Sequence, residues 1–360
     1  MLKFLHLSLE KTIKLQHGRG FPAIFARKAA PVLEFHLGPV SMSAATSRHT
    51  HPPTRLRIAS RESRLAMVQS EWTATKLRQL YPGATIEIIG MTTKGDQILD
   101  KPLAQIGGKG LFIKELEVAI EEGRADIAVH SMKDVPMTLP AGFAAVIVGE
   151  REDVHDALVS NRFAAIDELP RGAVVGTSSL RRESQLRTIR PDLKIEALRG
   201  NVNTRLAKLD AGHYDAIILA AAGLKRLGFG ARIRTVLNST QFLPAIAQGA
   251  LGIEYQAGRA DLAAWLAPFA QANTTAMVSA ERALGRALTA SCDVPLGGNA
   301  AIRDGKLYLE GFVAMPDGSR MIRDTISGDP ADAEHLGLAL AQRLLAAGAD
   351  QILASLSRNA

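Results

Sequence analysis

From Arg55 onward, short apolar runs alternate with longer amphipathic stretches, a contrast of period two against period 3.6 that separates strands from helices. The pattern predicts a strand over Leu56–Ala59, a helix over Arg61–Leu80 that stops at Pro82-Gly83, and a strand over Thr85–Ile89. A polar stretch from Thr92 to Gly110, with Gly95, Gly107, Gly108 and Gly110, reads as a loop too long for a simple connection. Leu111–Glu122 then reads as a helix and Ala125–His130 as a strand, which gives a βαβ layout with buried parallel strands. The rhythm restarts after Arg151-Glu152-Asp153. Val174–Gly176, Lys194–Leu198 and Asp215–Ala221 read as strands, with helices over Ser178–Ile189 and Val202–Leu209. Two similar α/β lobes with a cleft between them form a natural ligand-binding layout.

The last part of the chain changes character. Thr274–Leu288 reads as a helix, and Val294–Ile326 alternates with turn pairs at Asp304-Gly305 and Asp317-Gly318, as antiparallel hairpins do. Asp332–Ala346 is an Ala/Leu-rich amphipathic helix, and a shorter helix closes the chain. A small α+β domain is expected from about residue 272.

Composition narrows the function class. The chain has 360 residues, 47% hydrophobic, 22% charged and 5% aromatic, enough for two or three ordinary cores. No apolar run reaches the roughly 20 residues of a membrane-spanning helix. The net charge of +7 suggests nucleic acid until its location is read: residues 1–52 carry seven basic and two acidic groups, and the rest carries only +2. A duplex-binding face is therefore not implied. Residues 1–54 show no clear apolar periodicity. They read as a disordered tail, as the product of a start read too early (Met42 opens a shorter protein), or as a basic, acid-poor transit peptide. The single cysteine, Cys292, excludes an intramolecular disulfide and fits a reducing compartment.

The candidate chemistry lies at strand-to-helix junctions. Arg57-Ile58-Ala59-Ser60-Arg61-Glu62-Ser63, Gly176-Thr177-Ser178-Ser179-Leu180-Arg181-Arg182 and Leu198-Arg199-Gly200-Asn201, with Arg205 one turn on, are basic and hydroxyl-rich. Arginine at a helix N-terminus opposes the helix dipole, and a bound anion resolves the conflict. One such junction reads as solvated surface charge; three in two lobes point to a ligand with several anionic groups. His130-Ser131-Met132-Lys133-Asp134-Val135-Pro136 places an acid beside a base at the carboxyl end of a buried strand. Gly107-Gly108-Lys109-Gly110 lacks the P-loop spacing, the nine histidines are scattered away from any metal pattern, and no serine nucleophile elbow occurs.

Taken together and in order, His130–Pro136, Gly107–Phe112, Gly176–Arg182, Leu198–Arg205 and Ala290–Pro295 resemble the porphobilinogen deaminase family, from about Leu56 to the last helix. The resemblance implies an α/β fold of two doubly wound lobes like those of periplasmic binding proteins, plus a small C-terminal α+β domain. The first lobe would span 55–149 plus 250–267, the second 155–243, and the third domain 272–360. It implies hydroxymethylbilane synthase chemistry in porphyrin and haem biosynthesis. A dipyrromethane primer is held by a thioether to Cys292, with no metal. Porphobilinogen loses ammonia to give an azafulvene, which the terminal pyrrole attacks. Four additions give a hexapyrrole, and water releases the linear tetrapyrrole.

By the same resemblance, Asp134 is the catalytic acid. Ser131, Lys133, Asp134, Thr177, Ser179, Arg181, Arg182 and Arg205 hold the cofactor. Arg57, Arg61, Ser63, Gln69, Arg199, Arg205, Arg226 and Gln248 face substrate. Asp96, Lys109 and Phe112 belong to a lid. The chain departs from the family pattern at Ala290 and Ala247, where glycine is common, and at Val68, a frequent tryptophan. The expected protein is a cytoplasmic monomer acting on a small molecule, without nucleic acid or membrane; a transit peptide would place it in an organelle. The rival reading is a non-enzymatic, two-lobed polycarboxylate-binding protein, which explains the arginines but not Cys292.

Overall fold

The computed structural model describes residues 51–97, 110, 112–288 and 294–358. Three sheets organise these residues. The first contains β1 (Arg55–Arg61), β2 (Thr85–Met91), β3 (Ile127–Ser131), β4 (Phe143–Val148) and a late strand, β10 (Leu251–Gln256). The second contains β5 (Asp156–Val159), β6 (Val174–Gly176), β7 (Lys194–Glu196), β8 (Ala216–Ala220) and β9 (Thr235–Val236). Their spatial orders are β2-β1-β3-β10-β4 and β7-β6-β8-β5-β9.

The two sheets share one plan. Three parallel strands lie side by side, and a fourth, antiparallel strand, delivered by the chain arriving from the other lobe, joins them. In each sheet the strand order reverses beside the first of the parallel strands, β1 in one and β6 in the other, which opens a crevice at their carboxyl ends. Both faces of each sheet are covered, so the strands are apolar almost throughout. Leu158, Val175 and Ile218 pack on one face of the second sheet, and Val159, Ile217 and Leu219 on the other. Each buried Leu, Ile or Val contributes about 1.5–3 kcal/mol.

The helix expected from Arg61 begins at Arg64, because Ser63 serves as its N-cap and its side chain accepts from the Ala66 N–H at 3.4 Å. The strand β1 therefore keeps Arg61 at its carboxyl end. Within the expected loop, Lys94–Gln97 forms a short helix; residues 98–109 lie outside the described residues. The strands β4, β5, β9 and β10 escape the sequence pattern, because β5 and β10 pair with distant strands rather than with their chain neighbours.

The third sheet is an antiparallel meander of β11 (Leu296–Arg303), β12 (Lys306–Ala314) and β13 (Met321–Gly328), turning at Asp304-Gly305 and Asp317-Gly318. Helices Ala272–Ala287 and Ala333–Leu344 pack on it.

The chain passes between the first two sheets over 149–155 and 237–250. These two crossovers touch at Gly249 (φ +87°), where a Cβ would stand 2.2 Å from the Glu152 carbonyl oxygen. Only glycine fits that approach, so the two crossovers form one paired strap, closed by Glu152 N–H donating to Gly249 O at 3.2 Å.

Candidate functional site

The carboxyl end of β3 runs directly into a 3-10 turn, Met132–Asp134. Met132 is buried and anchors the turn through its N–H, which donates to Ala250 O at 3.0 Å. That anchor leaves Lys133 half-buried and Asp134 exposed. Among the described residues, no group lies within hydrogen-bond distance of the Asp134 carboxylate. Its charge nevertheless reaches both Lys133 in its own lobe and Arg205 in the other, since it opposes the lowering of both their pKa values. Beside it, the buried Gln69 amide donates to Ser131 Oγ at 2.8 Å.

Lys133 Nζ donates to Gln248 Oε1 at 3.3 Å. Gln248 Nε2 in turn donates to Val154 O at 2.7 Å and to Asp156 Oδ1 at 3.1 Å. Gln248 is 1% exposed, and its side chain links Lys133 to Val154 and Asp156. Burial, together with the cations Arg182 and Arg181, pushes the Lys133 ammonium down to about 8, against the pull of Asp134 and Asp156.

Asp156, fully buried at the start of β5, holds two arginines from the helix Leu180–Ile189. Arg182 donates to Asp156 Oδ1 at 2.7 Å and to Ile218 O at 2.9 Å; Arg181 reaches Asp156 Oδ2 at 2.7 Å and Leu243 O at 2.6 Å. Despite the cost of its burial, these cations hold the Asp156 carboxyl below the usual carboxylate range. The expected cofactor ligands Arg181 and Arg182 are thus turned onto Asp156 and the sheet. Arg181 Nε has no hydrogen-bond partner among the described residues. Asp156 carried no local sequence signal, since its partners Arg181 and Arg182 lie 25 and 26 residues away and are brought to it only by the packing of the second sheet.

Arg205 and Arg226 are half-buried and, among the described residues, donate hydrogen bonds only to backbone carbonyls, Gly200 O and Gly249 O, each at 2.7 Å. Burial, reinforced by Arg182 and Arg199, pushes Arg205 down to about 10; burial also lowers Arg226 and Arg199. Thr177 is buried, with its Oγ1 accepting from Ser179 N–H at 3.2 Å, and Ser178 Oγ ties this turn to Leu198 through O and N, each at 3.0 Å.

Arg61 leaves β1 toward Asp96. Its Nε donates to Asp96 Oδ2 at 3.0 Å, and its guanidinium lies 4.3 Å from the Phe112 ring centroid. Thr93 Oγ1 adds a 2.7 Å bond to the same carboxylate, and Gly95 is so close to Phe112 that a Cβ would meet the ring at 2.3 Å. The expected lid residues Asp96 and Phe112 therefore converge on Arg61.

Arg57 lies apart from this group: its guanidinium pairs with Asp126 at 3.1 Å and with Gly123 O at 2.7 Å, beside the amino end of β3 and away from the Ser131 end. Ser63 is taken up by its helix cap. Lys109 and Cys292 lie outside the described residues. His130 is structural, with Nε2 2.8 Å from Glu254 Oε2 in the core of the first lobe. Sequence reasoning also missed Arg151, Glu281 and Arg282, whose buried positions only the packing of the third domain reveals.

Arg205, held by a carbonyl and within reach of the open Asp134 carboxylate, together with Lys133, fits a ligand bearing carboxylates and an N–H donor. Among the described residues there is no cluster of three His, Cys, Asp or Glu able to hold a metal, and no helix long and apolar enough to cross a membrane.

A family model described as porphobilinogen deaminase, dipyromethane cofactor binding domain, matches residues 56–264, and that of the porphobilinogen deaminase C-terminal domain matches 275–346. Porphobilinogen deaminase of Thiobacillus denitrificans is 59% identical over 301 residues, 84% of this chain and 98% of the relative. That of Chromobacterium violaceum is 60% identical over 302 residues, 84% and 97% of the two chains. Among solved structures, the methionine-binding protein MetQ is similar at 13% identity, over 60% of this chain and 90% of that one, with a TM-score of 0.40.

Proposed function

The chain belongs to the porphobilinogen deaminase family, transferases of porphyrin biosynthesis, and on that premise we propose that it condenses four porphobilinogen molecules head to tail on a dipyrromethane linked as a thioether to Cys292, releasing ammonia and then hydroxymethylbilane. The family match displaces the reading as a non-enzymatic polycarboxylate-binding protein. The observation that carries the mechanism is the open Asp134 carboxylate whose charge reaches Lys133 and Arg205, neither of which has an ion-pair partner among the described residues.

When bound, the dipyrromethane supplies the nucleophilic pyrrole carbon on which the product is built. Asp134 accepts pyrrole N–H groups, stabilises positive charge developing at the ring nitrogen, and takes up the proton lost on condensation. Lys133, Arg205 and Arg226, with Arg199, Arg181 and Arg182 behind them, bind acetate and propionate carboxylates; each charge-assisted bond contributes about 1.5–3 kcal/mol. Ser131, Thr177 and Ser179 supply smaller donors. Gln69 fixes Ser131, and Gln248 fixes Lys133. Arg61 exchanges Asp96 for a substrate carboxylate, with Phe112 and Lys109 helping to exclude water that would hydrolyse a reactive intermediate. The protein acts as a cytoplasmic monomer, a reading that its single cysteine fits, since one thiol per chain suits a reducing compartment.

Intact mass under denaturing conditions tests this reading. An excess equal to two linked pyrrole units, absent from Cys292→Ser, is the expected result. A bare polypeptide that gains no mass on incubation with porphobilinogen overturns it. Asp134→Ala is expected to fold and to lose turnover; near-normal turnover removes Asp134 from the mechanism.

A further inference from the structure

Arg282 stands on the helix Ala272–Ala287 of the third domain, yet its guanidinium does not serve that domain. Nη1 donates to Val135 O at 3.3 Å, and Nη2 donates to Pro136 O at 2.6 Å and Met137 O at 3.2 Å. The residue is 4% exposed, and among the described residues no carboxylate lies within ion-pair distance of it. A buried guanidinium satisfied only by carbonyls is an expensive arrangement, because nothing neutralises its charge. The loss of solvent pushes it down to about 10, with Arg286 adding to the effect and Glu254 opposing it. Three successive carbonyls engage both terminal nitrogens of the planar fork, a spread that the single nitrogen of an ammonium does not reproduce.

The gripped segment begins one residue after Asp134. Its upstream end is fixed at Met132, and Met137 packs against Gly285 of the same helix, where an added Cβ would stand 2.8 Å from the methionine sulfur. Lys133 and Asp134 are therefore held between an anchor in the first sheet and a clamp from the third domain.

We propose that Arg282 is a positioning residue, which sets Asp134 and Lys133 by clamping the carbonyls of Val135, Pro136 and Met137 from the third domain. It touches no substrate. The consequence for turnover rests on the reading of Asp134 given above; the clamp itself does not.

The test uses the full chain carrying Arg282→Gln, Arg282→Lys and, as a matched control, Met137→Ala, which loosens the same contact but keeps the guanidinium. Two readouts separate the clamp from the chemistry. Hydrogen exchange of the amides over 132–139 is expected to speed up at least tenfold in Arg282→Gln and less in Arg282→Lys, with β10 unchanged. Turnover in Arg282→Gln is expected to fall at least tenfold in kcat with KM within about twofold, and partly to recover in Arg282→Lys. Unchanged exchange over 132–139 overturns the clamp. Faster exchange with unchanged kcat keeps the grip but overturns its role in positioning Asp134, provided Asp134→Ala itself loses turnover; if Asp134→Ala also turns over normally, the reading of Asp134 has failed instead. Equal losses of kcat in Met137→Ala and Arg282→Gln at matched thermal midpoints reduce Arg282 to ordinary packing and overturn the proposal.

Discussion

The Glu281 carboxylate accepts a 2.6 Å hydrogen bond from the backbone N–H of Ala247, a residue held at φ +57°. The same carboxylate takes the Ala300 N–H at 2.6 Å and a two-pronged Arg151 guanidinium at 2.7 and 2.9 Å. One buried acid of the third domain thus ties both crossovers and the third sheet. Ala247 is held left-handed by this tie. An L-residue there is strained, and the strain outweighs the extra freedom that glycine brings to the unfolded chain. Ala247→Gly is expected to stabilise the protein by about 0.5–1 kcal/mol, read as a higher midpoint in urea. Glu281→Ala strands a buried guanidinium and two N–H groups, and is expected to cost about 3–5 kcal/mol in the same assay.

Lys133 sets an alkaline limit. Its ammonium is held near 8 by burial, so its charge beside Asp134 is lost as pH rises through that value. The rate at saturating substrate is expected to fall with an apparent pKa near 8, and Lys133→Arg is expected to move that limb upward by more than one unit. Stability runs the other way. Between about 8 and 10.5 the folded chain holds fewer protons at Lys133 than the unfolded chain, so this group's contribution rises with pH. A pH–rate profile unchanged in Lys133→Arg would reject the assignment.

Asp156 anchors two buried arginines, and its carboxyl lies below its ordinary value of 3.8. Its stabilising contribution is complete above that value and is lost as pH falls further. Asp156→Ala is expected to cost about 3–5 kcal/mol in denaturant titration at pH 7 and to impair ligand loading, because Arg181, Arg182 and Gln248 lose their common partner.

Glu117 carries the opposite sign. Burial and the neighbouring Glu254 push it up to about 7 from 4.5, with His130 opposing. The folded chain favours its neutral form, so stability present below 4.5 is lost as pH rises through 7. Glu117→Gln is expected to stabilise the protein at pH 8 by about 1–2 kcal/mol, after discounting for partial exposure, and to leave it unchanged at pH 4. Chemical denaturation at the two pH values checks both.

The α/β rhythm, the hairpins of the third domain and the junction motifs were legible because each is a local period or a contiguous string: Val174–Gly176 reads as a buried strand wherever it lies, and His130–Pro136 carries its chemistry in one stretch. By itself the sequence determined the class of fold, the basic junctions and the family they resemble. Only the tertiary structure decided that Arg57 pairs with Asp126, that Gln248 bonds Lys133 and Asp156, and that Arg282 grips the segment after Asp134. Those partners stand from 69 to 147 residues apart. No local periodicity records such pairings; they arise when two crossovers and a third-domain helix bury charged groups together and each must find a partner away from water.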